Sequence, residues 1–345
     1  MKKLLQFLLS LAIGLIAFLL IMNRVGLNHI KSAFALFFSL PGLIAVAISF
    51  AFVIFGIYKW RLILKAQGHD FSFRQLGPLW MIGFAMSYVT PFSVFGGEFF
   101  RVYFTKKKFP SLTWREILAS VAIDKILDAT VFFFSMLAGL IIFIFYGELP
   151  MSWTTAGIVI FAGFLLFMLG LFYFKRHKKE SALEFLMKMF GLKKDTFAKG
   201  ENGRALSQAA FEAEKDVFHF FNFKVRRFWQ AFGLTACRYG LLFARSLVLV
   251  FFLVGSWQAV KSLAVYGFVN LAGLAPLPAT LGVLELGEGF AFSALGFGFS
   301  AGTVFSMVSR GSDLLLTLVG LIFLIKLSIE LLKGKIIRFF PRLDF

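Results

Sequence analysis

Two of the apolar stretches in this chain are broken where the others run through, and that interruption limits the possible folds more than any other feature. Six segments, 4–22, 38–58, 117–146, 153–174, 231–254 and 303–326, are continuous and long enough to cross a bilayer, since a spanning helix needs about 20 apolar residues for a hydrocarbon core of roughly 30 Å. Residues 76–104 are instead interrupted by Pro91 and Gly96-Gly97, and residues 263–299 by Pro276, Pro278 and Gly282. The first holds 29 residues, too few for two crossings, and the second holds 37, which is marginal. Both break near the middle at residues that disfavour helix. The pattern predicts two re-entrant helical hairpins that dip into the membrane and return to the side they came from. Backbone of that kind persists at membrane depth only when it is buried in protein or lines a polar cavity.

Loop charge fixes the order. With the N-terminus inside, the inside segments 1–3, 59–75, 105–116, 175–230 and 327–345 carry 27 of the 36 Lys and Arg residues, and the outside segments 23–37, 147–152, 255–262 and 300–302 carry 3. If 76–104 crossed once, everything after it would invert and the basic 175–230 loop would lie outside, against the positive-inside rule. The expected fold is an all-α polytopic membrane protein with an inverted-topology repeat. Each half has two spans, one re-entrant helical hairpin and one further span. Residues 1–146 form the first half, 147–326 the second, and 327–345 a basic cytoplasmic tail. The run from Leu4 to Met22 is longer than a signal-peptide core and lacks a small-residue cleavage site, so it is read as a retained first span.

A short pattern supports the repeat independently. Pro91 is followed seven residues later by Glu98, and Pro278 seven residues later by Glu285. A basic residue and an acid three apart come next in each half: Lys125 and Asp128, 27 positions after Glu98, then Arg310 and Asp313, 25 after Glu285. Inverted repeats with broken helices are a common transporter plan.

Composition narrows the function. The chain is 59% hydrophobic with a mean hydropathy of +0.83, beyond the range of an ordinary soluble domain. Its net charge of +18 reads as basic loops against anionic lipid, including an amphipathic surface stretch at 183–190, and not as a nucleic-acid surface. Cys237 is the only cysteine and the four histidines fall in loops, so no disulfide, metal site or cofactor is expected. No glycine-rich phosphate loop is present, which argues against an ATP-driven motor.

Charged side chains cost about 3 kcal/mol each near the bilayer centre, so those that occur there are candidates for function. Eleven lie in apolar context: Glu98, Arg101, Asp124, Lys125, Asp128, Arg238, Arg245, Glu285, Glu288, Arg310 and Asp313. Lys125 with Asp128 and Arg310 with Asp313 have the spacing of local pairs on one helix. Arg238 and Arg245 have no acid in their own helix and need a partner elsewhere, either one of the carboxylates or an anionic ligand. Arginine suits phosphate through its planar fork, and helix N-termini after each break favour an anion.

These residues carry a resemblance. Residues 91–101 (PFSVFGGEFFR), 275–285 (APLPATLGVLE), and Ser309-Arg310 with Asp313 resemble the lysylphosphatidylglycerol synthase transmembrane family, the membrane half of the bacterial multiple peptide resistance factor and its stand-alone flippase-like relatives. The chain differs in having Asp124-Lys125 where many relatives have an acid–Arg pair. It also has Pro278-Ala-Thr-Leu where relatives are richer in glycine. The resemblance implies a flippase or scramblase that moves a phospholipid, aminoacylated or otherwise polar in its headgroup, across the bacterial cytoplasmic membrane. The headgroup phosphate would lie against Arg101, Arg238, Arg245 or Arg310, with Glu98, Glu285 and Asp128 pairing those arginines or holding an amine. No soluble transferase domain follows residue 326, so aminoacyl-lipid synthesis is not expected. The alternatives are a membrane transferase acting on a lipid-linked substrate, and a non-transporting scaffold for a lipid-modifying enzyme.

Overall fold

The computed structural model describes residues 27–90, 96–147, 201–222, 225–274, 280 and 282–339, with isolated positions between 163 and 178. The first span, Pro91, Pro276, Pro278, most of 153–174 and the 183–190 stretch lie outside the described residues. All regular structure among the described residues is helical: α1 (Leu27–Phe37), α2 (Leu40–Ala66), α3 (Phe73–Val89), α4 (Gly96–Lys108), α5 (Trp114–Tyr146), α6 (Glu201–Phe220), α7 (Arg226–Val254), α8 (Ala259–Ala272), α9 (Val283–Ala294) and α10 (Phe299–Phe339). Four of these, α2, α5, α7 and α10, are long and apolar enough to cross a membrane. They coincide with the segments expected at 38–58, 117–146, 231–254 and 303–326, so the chain is a multi-pass, all-α membrane protein.

Local chemistry sets the helix starts. Ser72 caps α3 by accepting from the Gln75 amide at 3.3 Å while the Gln75 side chain accepts from the Ser72 amide at 2.8 Å. Thr113 and Glu116 repeat the device at the start of α5, at 3.2 and 2.7 Å. Between α2 and α3 the exposed Asp70 takes hydrogen bonds from Lys65 and Arg61, which hold its carboxyl below the usual carboxylate range.

Each interrupted stretch holds two helices: α3 ends at Val89 and α4 begins at Gly96, and α8 ends at Ala272 and α9 begins at Val283. At 1.5 Å per residue, α3, α4, α8 and α9 measure about 25, 20, 21 and 18 Å, all short of a full crossing. The members of each pair run antiparallel. Lys108 Nζ, at the end of α4, donates to the Gln75 carbonyl near the start of α3 at 3.1 Å, and the Gly97 amide donates to Ser87 Oγ at 3.1 Å. In the second pair Lys261, at the start of α8, donates to the Leu295 carbonyl just past α9 at 2.9 Å. The two pairs open at opposite ends of the bundle. Helices α2 and α7 run antiparallel, with Arg227 against the carbonyls of Lys65 and Ala66 and Arg245 against Ser49. The first pair therefore opens at the Ala66 end of α2, and the second at the Val254 end of α7.

Gly97 lets α4 lie close against α3. A Cβ there would strike the Gly83 carbonyl oxygen and Ser87 Oγ, and backbone on the facing helix cannot give way as a side chain can. Gly97→Ala is expected to push α4 off α3 and to destabilise the protein by about 1–3 kcal/mol, read as a lower thermal midpoint in detergent. Gly282 serves the second break through its conformation, with φ +80°, a region open to glycine at no steric cost.

Part of the segment 175–230, expected as a loop, is the helix α6 (Glu201–Phe220). Within it α6 sets Ala213, Val217 and Phe220 against a core that includes Ala119, Ile123 and Leu127 of α5. That face has helical spacing, but the surrounding charges mask it in sequence.

Candidate functional site

The eleven intramembrane charges fall into two clusters, one beside each broken pair. In the first, Glu98 and Arg101 come from α4, Asp124, Lys125 and Asp128 from α5, and Arg238 from α7. Lys125 Nζ reaches Glu98 Oε1 at 2.7 Å, Arg101 Nη1 reaches Asp124 Oδ2 at 2.7 Å and Glu98 Oε2 at 3.7 Å, and Arg238 Nη1 reaches Asp128 Oδ1 at 2.7 Å. Aromatic faces cover two of the cations: Arg101 lies 3.9 Å from the Trp60 ring and Arg238 4.2 Å from Phe52, where a desolvated cation gains from the ring quadrupole.

A residue missed by the sequence reading joins this cluster together. Lys59 of α2 is fully buried, and its ammonium bridges Asp124 Oδ1 at 2.8 Å and Asp128 Oδ1 at 2.6 Å while donating to the Asp124 carbonyl at 3.1 Å. The charge count above places Lys59 at the edge of an inside loop, because the apolar run stops at Tyr58. Helix α2 continues to Ala66 without a break, so Lys59 is still inside the bundle. The available signal was the lack of any helix-ending residue between Tyr58 and Ala66.

The second cluster joins α9, α10 and α7. Arg310 grips Glu285 with both ends of its fork, at 3.1 Å (Nη1–Oε1) and 3.2 Å (Nη2–Oε2), and donates to the Thr280 carbonyl at 3.2 Å. The Gly282 amide adds a bond to Glu285 Oε2 at 2.9 Å, so the break in the chain itself holds the carboxylate. Thr280 has φ +49°, a strained setting for a β-branched residue. Arg245 pairs with Asp313 at 2.7 Å and donates to Ser49 Oγ at 2.8 Å.

The local pairs suggested by sequence do not form. Lys125 bonds Glu98 and not Asp128, and Arg310 bonds Glu285 and not Asp313. Each basic residue ties its long helix to the adjoining broken pair, while the acid three positions on ties the same helix to α2 or α7. The open question about Arg238 and Arg245 resolves the same way, since each holds a carboxylate of another helix.

Two counts describe what these clusters can do. The first sets four cations (Lys59, Arg101, Lys125, Arg238) against three carboxylates (Glu98, Asp124, Asp128), a formal excess of +1. The second sets two cations (Arg245, Arg310) against three carboxylates (Glu285, Glu288, Asp313), an excess of −1. Hydrogen-bonding capacity is left over in both: Arg101 Nε and Nη2 and Glu98 Oε2 in the first, Glu288 Oε2 and Arg310 Nε in the second, all buried and without a hydrogen-bond partner. Such groups cost about 1–3 kcal/mol each when left unsatisfied.

A cavity of about 650 Å³ lies at the Ala66 end of the bundle among α2, α5, α6 and α7, lined by Gln67, Arg115, Glu116, Asp216, His219 and Arg227 among others. None of the eleven intramembrane charges lines it. Among the described residues no group of three or more His, Cys, Asp or Glu side chains is placed to hold a metal ion.

A UPF0104 membrane protein of Methanothermobacter thermautotrophicus is 26% identical over 149 residues, covering 43% of this chain and 44% of the relative. The chain thus matches less than half the length of that relative. No solved structure matches it. The sequence does match the lysylphosphatidylglycerol synthase TM region over residues 7–320, nearly its whole length and both charged clusters, and the chain belongs to that family.

Proposed function

We propose that the protein is a flippase or scramblase that carries a phospholipid headgroup between leaflets while the acyl chains stay in the bilayer. It would act in the bacterial cytoplasmic membrane, with both termini cytoplasmic, and as a transporter, not an enzyme. The observation that carries this reading is the leftover polar capacity at the two breaks. Ion pairs that only fasten helices would be expected to use up their polar atoms, whereas here each cluster keeps both kinds of group unpartnered: Arg101 Nε and Nη2 with Glu98 Oε2 in the first, and Glu288 Oε2 with Arg310 Nε in the second.

The pairing pattern supports an inverted-topology repeat with re-entrant hairpins. Lys59–Asp128 and Glu98–Lys125 in the first half correspond to Arg245–Asp313 and Glu285–Arg310 in the second. Lys59 precedes Glu98 by 39 positions and Arg245 precedes Glu285 by 40. With the two short pairs opening at opposite ends, the same device would face the two leaflets in turn. A headgroup phosphate would take the unused Nε and Nη2 of Arg101. The opposite excess charges of the clusters suit a headgroup carrying both a phosphate and an amine.

The test is lipid translocation in proteoliposomes, using acyl-labelled phosphatidylethanolamine and phosphatidylglycerol and bleaching the outer-leaflet dye. Arg101→Gln shortens the side chain and removes its charged fork while keeping a neutral amide, and is expected to slow translocation at least tenfold. A rate equal to that of the unaltered protein would count against the phosphate site.

A further inference from the structure

Glu288 is the one intramembrane acid that the pairing scheme leaves out. It is 1% exposed, its Oε2 has no hydrogen-bond partner, and no ion pair to it forms among the described residues. Four charged groups act on it. Glu285 lies one turn back on α9, Arg310 and Asp313 on α10, and Arg245 on α7, all within electrostatic reach. The phenol of Tyr88 on α3 is within electrostatic reach of Asp313, Arg310, Glu285 and Arg245, and that of Tyr266 on α8 is within reach of Arg245. Both arginines are already committed, Arg310 to both oxygens of Glu285 and Arg245 to Asp313.

The corresponding place in the first half is filled differently. Three residues after Glu98 comes Arg101, which pairs with Asp124, the residue just before Lys125. Three residues after Glu285 comes Glu288, and the residue just before Arg310 is Ser309. Where the first half has an ion pair, the second has an acid and a hydroxyl, and Ser309 Oγ is likewise buried without a partner. Ionised, Glu288 would be a third carboxylate facing two occupied guanidiniums, and an uncompensated buried charge costs several kcal/mol. Protonated, it is neutral and gains a donor that hydroxyl or carboxylate neighbours can accept.

We propose that Glu288 is a proton-binding site, holding its proton in the arrangement described here and losing it to the aqueous phase when the Arg310–Glu285 pair opens. The proposal rests on the transport reading only in its last clause. Deprotonated Glu288 would compete with Glu285, on the same helix, for Arg310, so the proton would decide which acid of α9 Arg310 holds.

The experiment is infrared difference spectroscopy of the full-length protein in nanodiscs, following the carbonyl stretch of a protonated carboxylic acid as pH is stepped from acid to alkaline. The expected result is a band still present at neutral pH, lost in Glu288→Gln and retained in Glu98→Gln. Glu288→Gln mimics the neutral acid and is expected to fold with an unchanged thermal midpoint. A spectrum with no such band at neutral pH, or one in which Glu288→Gln leaves the band intact, would overturn the proposal. The band is read without lipid movement, so a protein that fails to translocate lipid but shows it would lose the transport reading and keep the proton site. A protein that translocates lipid without the band would do the reverse.

Discussion

Lys59→Met is expected to cost about 3–5 kcal/mol of stability and to abolish activity, the largest effect of any single substitution in the first cluster. The methionine fills much the same space, so the loss is electrostatic. Asp124 and Asp128 share the Lys59 ammonium at 2.8 and 2.6 Å, and without it two carboxylates one helical turn apart face each other with Arg101 and Arg238 as their remaining counter-charges. Removing one member of a buried pair is far worse than never having built it, because the partner stays charged and dry. Thermal unfolding in detergent, followed by the loss of monodisperse protein, measures it. The double variant Lys59→Met with Asp128→Asn, which removes one charge of each sign, is expected to recover part of the loss. A recovery of zero would mean that the pair is not coupled.

Arg310→Ala is the second large effect. It strips Glu285 of both fork contacts and removes the Arg310 bond to the Thr280 carbonyl, leaving Glu285 and Glu288 buried one turn apart with Arg245 already held by Asp313. A loss of about 3–5 kcal/mol follows from the same asymmetry. Arg310→Lys separates charge from geometry: it keeps the cation but cannot hold two carboxylate oxygens and a carbonyl from one plane. Its expected loss is intermediate, with the thermal midpoint between those of the unaltered protein and Arg310→Ala. Equal midpoints for Arg310→Lys and the unaltered protein would show that charge alone holds α9 to α10.

Much of this arrangement could be read from sequence because membrane burial makes a few rules strict. The apolar runs at 38–58, 117–146, 231–254 and 303–326 became α2, α5, α7 and α10. The breaks near Gly97 and Gly282 fell where helix-disfavouring residues interrupt such runs. The eleven charges were identifiable because lipid cannot solvate them. Partner choice was not legible. Lys125 and Asp128 have ideal spacing for a local pair, yet each prefers a group on another helix, and nothing in a one-dimensional spacing encodes how α4 and α2 approach α5. Lys59 was hidden because hydropathy stops where charge begins, while the α2 helix does not. Helix α6 was hidden because its Ala213–Val217–Phe220 stripe is diluted by acids and bases on the other faces. Its buried side depends on α5, which no local window contains.

The most direct test of transport through the two clusters is the rate at which outer-leaflet phosphatidylethanolamine exchanges with the inner leaflet in proteoliposomes, compared for the unaltered protein, Arg101→Gln and Glu285→Gln, each confirmed folded by its thermal midpoint. Exchange by the unaltered protein that falls at least tenfold in both variants is the predicted outcome. Exchange that both variants match, or vesicles in which the unaltered protein moves no lipid beyond the protein-free background, would contradict it.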